Sequence, residues 1–327
     1  MLRRTLINAA AASLFVGSSS RCVAQGAMRT IGFLSSRSPG ESAHLVAGFR
    51  KGLAEGGFVE GKNVAIEFRW AEGNYERLAG FAAELVNKPV AVLATAGGTV
   101  SGLAAMAATK TIPLVILSGG DFVKLGLVER LNRPGGNVTG VSQFSSVLTA
   151  KRLEVLRELK PGISNVTLLF NPKSPNAEAE IAIVRQACSA IGCKVNPVKA
   201  STIEEIDTVF KPLAKRPNGA LMVLSDAFLD MRREQITAHA TRLALPAVYG
   251  AREYVTVGGL LSYGVNFADT YRQSGAYVAR ILKGDKPATL PVMQPTLFDV
   301  VLNLKTVKAL GLKVPESVLL RATETIE

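Results

Sequence analysis

Val90-Ala-Val-Leu-Ala-Thr-Ala-Gly-Gly-Thr99 runs from an unbroken apolar stretch into two glycines and a hydroxyl, and small residues continue to Ala108. The apolar stretch reads as a strand buried on both faces, and the run from Thr99 as a helix. A strand feeding a helix through a glycine turn is the repeating unit of a parallel sheet. Working outward, Thr30-Ile-Gly-Phe-Leu-Ser35 predicts an earlier buried strand, and Leu45, Val46, Phe49 and Leu53 recur at helical spacing until Gly56-Gly57. Val64-Ala-Ile-Glu-Phe68 is a further strand. Asn74 offers an N-cap to a helix with Leu78, Ala82, Leu85 and Val86 on one face, and Pro113-Leu-Val-Ile-Leu117 is the next strand.

The pattern starts again after Gly140. Leu153, Leu156 and Leu159 mark a helix ended by Pro161-Gly162, and Val166-Thr-Leu-Leu-Phe170 is a strand closing at Asn171-Pro172. A helix near Ala177–Ile191 and a strand near Lys194–Val198 follow. Thr202 and Glu205 form a capping box, opening a helix with Ile203, Ile206, Phe210 and Leu213 inward. Ala220-Leu-Met-Val-Leu224 and Pro246-Ala-Val-Tyr249 are strands separated by a helix that reaches Leu243. Two parallel sheets of four to five strands, each covered by helices on both faces, are the simplest architecture, with the tail of the chain returning between them.

The 327 residues, 48% of them hydrophobic and 20% charged, are enough to bury two cores, which excludes a disordered or fibrous chain. His44 and His239 are the only histidines, so a zinc site of several imidazoles and histidine-based catalysis have little material. Three cysteines are too few for a disulfide scaffold. Residues 1–24 combine Arg3-Arg4, an apolar stretch and a small-residue end at Cys22-Val23-Ala24, the order of a cleaved secretory signal, so export to the periplasm with cleavage near Ala24 is expected. The apolar stretch is shorter than the roughly 20 residues that span a bilayer. Cleavage removes three arginines and no acid, taking the formal charge from +12 to +9. No block of five basic residues occurs, so the charge reads as dispersed over solvated faces, and no nucleic-acid partner is expected. Of the remaining cysteines, Cys188 and Cys193 would pair in an oxidising compartment; two small buried hydrophobes are the alternative.

Gly56-Gly-Phe-Val-Glu-Gly61-Lys62 imitates a phosphate loop, but it follows a helix, precedes a strand and continues with Asn63, so it reads as a helix-to-strand turn. Thr95-Ala-Gly97-Gly98-Thr99 has the opposite order. Free N–H groups at the helix start, close approach at the glycines and two hydroxyls suit a carboxylate, with a plain capped turn as the alternative. Ligands of open α/β sheets sit beyond the carboxyl ends of strands, which puts Ser35, Ser118 and Asp121 on the same rim. Asn171, Ser225-Asp226 and Tyr249 end strands of the second series and form a facing rim. Asp226 would accept from an ammonium, and Tyr249 would stack or donate its hydroxyl. Two rims of opposite chemistry suggest a cleft for a zwitterion. No Ser-His-Asp, Cys-His or paired-carboxylate spacing stands out, so no enzyme, metal or cofactor is expected.

Several segments carry a family likeness: Thr111-Ile-Pro113 through Asp121, Arg133-Pro-Gly-Gly-Asn137-Val-Thr-Gly140, Leu245-Pro-Ala-Val-Tyr-Gly250, Gly258-Gly-Leu-Leu-Ser-Tyr-Gly264 and Asn303-Leu-Lys-Thr-Val-Lys-Ala-Leu-Gly311. On these the chain resembles the periplasmic substrate-binding proteins of ABC transporters, in the family that includes tryptophan and aromatic amino-acid binders. Phe122 departs from it, since the family usually has proline after the aspartate. The resemblance implies a type I periplasmic-binding fold of the Venus-flytrap kind, with two Rossmann-like lobes joined by three hinge crossovers near Ser142–Ser146, Ser262–Val265 and Gln294–Phe298. The lobes would comprise 29–143 plus 265–293 and 144–264 plus 294–327. It further implies a monomer that captures an amino acid or aromatic carboxylate in its cleft and delivers it to permease subunits in the inner membrane. A ligand-sensing lobe for a membrane receptor and a repressor-type regulator are the alternatives. Ligand contacts would come from Ser35, Thr95, Gly97, Gly98, Thr99, Ser118 and Asp121 on one side, from Asn171, Asp226 and Tyr249 on the other, and from Tyr263 on a crossover.

Overall fold

Residues 28–143, 145–215 and 219–327 are described by the structure, a computed structural model; the expected signal segment, and Phe144 within the first expected crossover, lie outside them. In chain order the first half contains β1 (Arg29–Ser35), α1 (Ala43–Glu55), β2 (Val64–Trp70), α2 (Arg77–Val86), β3 (Val90–Ala96), α3 (Thr99–Ala108), β4 (Leu114–Ser118) and β5 (Val138–Ser142). These strands form one fully parallel sheet in the order β2-β1-β3-β4-β5. Its strands are apolar without interruption because both faces are covered. Ile31, Phe33, Val115 and Leu117 pack on one side, whereas Leu34, Leu114 and Ile116 pack on the other with Leu78, Ala82 and Leu85 of α2. Phe122, the departure from the family pattern, joins this second cluster and is 1% exposed.

The chain continues through α4 (Ser145–Leu159), β6 (Asn165–Phe170), α5 (Ala177–Ala190), β7 (Lys194–Lys199), α6 (Ile203–Phe210), β8 (Gly219–Val223), α7 (Ala227–Met231), α8 (Arg233–Arg242), β9 (Ala247–Tyr249), α9 (Arg252–Thr256), β10 (Leu261–Val265), α10 (Phe267–Leu282), β11 (Phe298–Asn303), α11 (Leu304–Ala309), α12 (Glu316–Arg321) and β12 (Glu324–Ile326). The second sheet has seven strands ordered β12-β11-β10-β9-β8-β6-β7. It corrects the expectation of four to five parallel strands, because the tail adds β11 and β12 at one edge and β11 runs antiparallel to β10.

After β10 the chain crosses back, and α10 lies along α1 on the first sheet. The crossing is close because it is built from glycines. A Cβ on Gly52 would stand 1.8 Å from the Arg272 carbonyl oxygen, and one on Gly275 would stand 2.0 Å from that of Phe49. Met293 then bridges Val141 beside β5 before the chain returns to the second sheet as β11.

Local signals held with two adjustments. The Thr202 hydroxyl accepts from the Glu205 N–H, and the Glu205 carboxylate reaches back past the Thr202 N–H to that of Ser201, one residue before the cap. Asn74 does not cap α2; its side chain accepts from the Glu76 N–H, and the helix opens at Arg77. Cys188 and Cys193 form a disulfide that ties the end of α5 to the start of β7.

Candidate functional site

Strand ends of both sheets converge on one cleft. On the first side β3 ends in Gly97 and Gly98, with φ of 78° and 100°, a left-handed region that glycine enters without steric cost. A Cβ on Gly97 would stand 2.4 Å from the Ser36 hydroxyl, so this turn packs directly on the segment after β1. The turn opens α3, whose first N–H groups and dipole favour negative charge. The Thr99 hydroxyl lies 2.7 Å from that of Ser118 at the end of β4. The Ser35 hydroxyl accepts from the Arg37 N–H and so shapes the turn that carries Arg37 into the cleft.

On the second side, β8 runs out into Ser225 and Asp226, and Asp226 caps α7. One carboxylate oxygen of Asp226 accepts from the Phe228 and Leu229 N–H groups and from the Asn171 side-chain amide; the other accepts from the Tyr75 hydroxyl at 2.8 Å. Burial pushes the Asp226 carboxyl above its ordinary range against these bonds. Burial and the Asp226 charge together raise Tyr75, which stays a neutral donor. One helical turn on, Asp230 forms an ion pair with Arg37 across the cleft. Burial works against the Arg37 charge, but Asp230, Tyr271 and Glu253 outweigh it and hold the guanidinium protonated. The Asp230 carboxyl is pushed up to about 6, by burial first and by the neighbouring Glu253 and Asp226 carboxylates.

The rims touch. The Asn176 side-chain amide donates to the Thr99 hydroxyl at 3.0 Å, Lys173 pairs with Glu76, His44 with Glu253, and Arg233 with Glu41. Between them Arg37, Gly97, Gly98, Asn176, Asp230 and Phe267 border a cavity of about 40 Å³, room for one or a few waters. This is the closed arrangement of a two-lobed cleft.

Of the residues expected on the rims, Gly97, Gly98 and Asp226 border the cavity, and Ser35, Thr99, Ser118 and Asn171 support it through the bonds above. Thr95 is buried within β3 and does not line the cavity. Three residues lie elsewhere. Asp121 is exposed, and its carboxylate accepts from the Val123 and Lys124 N–H groups of its own turn. Tyr249 is fully buried in the second lobe, its ring stacked on Tyr254 at 4.3 Å, because β9 aims it into the core. Tyr263 packs against the core of the second sheet, and its carbonyl accepts from the Arg152 guanidinium. Sequence reasoning missed Arg37 and Asp230. The available signals were a basic residue just past the first strand end and an acid one turn after Asp226 on the same helical face.

Among the described residues no cluster of three potential metal ligands exists, and no helix is long and apolar enough to cross a membrane. A model of the family described as ABC transporter substrate binding protein matches residues 38–326. A tyrosine-binding protein of Clostridioides difficile is 25% identical over 266 residues, 81% of this chain and 76% of the relative. The crystal structure of a Streptococcus pneumoniae ABC domain in complex with L-Trp superposes with a TM-score of 0.83 at 26% identity, covering 91% of this chain and 99% of the other. The ligand-free, open structure of a Clostridium difficile substrate-binding protein with adhesive properties, at 25% identity and with 91% and 100% covered, gives 0.65.

Proposed function

Since this chain belongs to the family of ABC transporter substrate-binding proteins, we propose that it captures an aromatic amino acid between its lobes and delivers it to a membrane permease. The ion pair of Arg37 with Asp230 across the cleft carries this reading. The two side chains offer, from opposite rims, the counter-charges of an α-carboxylate and an α-ammonium. A zwitterion entering between them exchanges one internal pair for two ligand pairs and loses no buried charge compensation. The α3 N-terminus at Gly97-Gly98 adds N–H donors to the carboxylate side. Because the two charges stand on different lobes, only the closed state binds both ends of the ligand, which couples capture to closure. The tyrosine-binding relative and the L-Trp complex support an aromatic side chain, and the better superposition on that complex than on the open structure supports a closed arrangement here.

The reading extends to the chain as a whole. The lobes are 29–143 plus 265–293 and 144–264 plus 294–327, the signal at 1–24 sends the protein to the periplasm, and it acts there as a monomer that makes and breaks no covalent bonds. Calorimetry with L-tyrosine, L-tryptophan and L-phenylalanine tests it, with tryptamine and indole-3-propionate as partners lacking one charge each. At least one amino acid is expected to bind, and both one-charge analogues to lose about 2–5 kcal/mol, the cost of leaving a buried charge unpaired. Equal affinity for an analogue, or no binding of any amino acid, overturns the reading.

A further inference from the structure

A second cavity, of about 340 Å³, opens on the second lobe and shares no lining residue with the cleft. Part of its wall is formed by the segments leading into β9 and β10, at the strand ends opposite the ligand rim. Ala240 of α8, Leu245, Leu260 and Leu310 give it apolar walls. Its volume falls within the roughly 300–1,000 Å³ of small-molecule sites, which combine apolar walls with a few fixed polar groups. Here the polar groups are of two kinds. The buried hydroxyls of Thr237 and Tyr249 neighbour each other in the wall, and neither makes a well-formed hydrogen bond among the described residues. Lys305 of α11, exposed, is the only charged residue in the lining. One cation beside an apolar hollow selects an anion with an apolar body.

We propose that this cavity is a second binding site, for a small organic carboxylate whose apolar body fills the walls and whose charge pairs with Lys305. The site is independent of the cleft and of what the cleft binds. The probe is 4-bromobenzoate, titrated into the protein by NMR and soaked into crystals, where the bromine is located by anomalous scattering. The bromine is expected in the cavity, with a solution dissociation constant below about 1 mM for a ligand of this size. Lys305→Met is expected to weaken binding up to about fivefold, as removal of an exposed ion pair does, and the neutral 4-bromobenzamide to bind correspondingly less well. Ala240→Leu, which fills the hollow, removes binding; Lys305→Met, on the surface, serves if that variant does not fold. Bromine in the cleft alone, binding at crystal concentration only, or equal affinity for acid and amide overturns the proposal.

Discussion

Asp226 and Asp230 sit one helical turn apart but are engaged differently. Asp226 spends both oxygens on protein donors, four in all, whereas the Asp230 carboxylate is described with one partner, Arg37. Asp230→Asn is therefore expected to weaken amino-acid binding by about 2–5 kcal/mol. Asp226→Ala, which removes the α7 cap and the anchor of Tyr75, is expected to cost about 1–3 kcal/mol of stability instead. Calorimetry and denaturant unfolding of both variants separate the two roles. Glu180 supplies a pH handle. Buried at 1% exposure in the first turns of α5, it is pushed up to about 7, by burial first, against the Arg152 charge and a bond from Thr149. Its folded form holds a proton that the unfolded chain has lost, so this contribution to stability is full below the unfolded value of about 4.5 and fades as pH rises through about 7. Unfolding measured from about pH 4 to about pH 8 should show a decline, to which Asp230 also contributes, and Glu180→Gln should remove on the order of 3 kcal/mol of it. Neither Arg37 nor Asp230 stood out in the sequence, since a pair separated by 193 positions becomes visible only when two loops meet.

At the scale of elements, α1 and α10 approach as closely as their glycines allow. Gly52→Ala would drive a methyl group into the backbone of α10 and is expected to destabilise by about 1–3 kcal/mol, seen as a lower Tm. An unchanged Tm would show that the helices can separate without loss. The strands of the first sheet were legible because burial on both faces makes them contiguous apolar runs, as in Leu114–Ser118. The edge of the second sheet was not. The three residues of β12 carry little pattern, and the antiparallel setting of β11 depends on the chain having first crossed to α10 and returned. Tyr249 was misread for a related reason: ending a strand at the rim fixes where the backbone is, while the pleat decides which way the ring points.

At the scale of the molecule, the closed arrangement rests on polar contacts between the lobes. The more exposed of them, such as Lys173 with Glu76, contribute little each, about 0–1 kcal/mol, and are screened by salt, while the buried Arg37–Asp230 pair is screened less. Small-angle scattering of the ligand-free protein should therefore show a radius of gyration that grows with ionic strength, and one that is smaller and insensitive to salt once an amino acid is bound. No change in either condition would mean that closure does not depend on these charges. The passage of the chain from one sheet to the other and back also bears on biosynthesis. All five strands of the first sheet have been made by Ser142, but the helix that packs along α1 is made only at Phe267–Leu282. A ribosome that has reached residue 264 has produced a first lobe whose Phe33 and Phe49 cluster still lacks Tyr271, Val278 and Leu282. Such a lobe cannot finish folding before most of its partner has been made, so the chain must be kept from aggregating until nearly its full length has been synthesised.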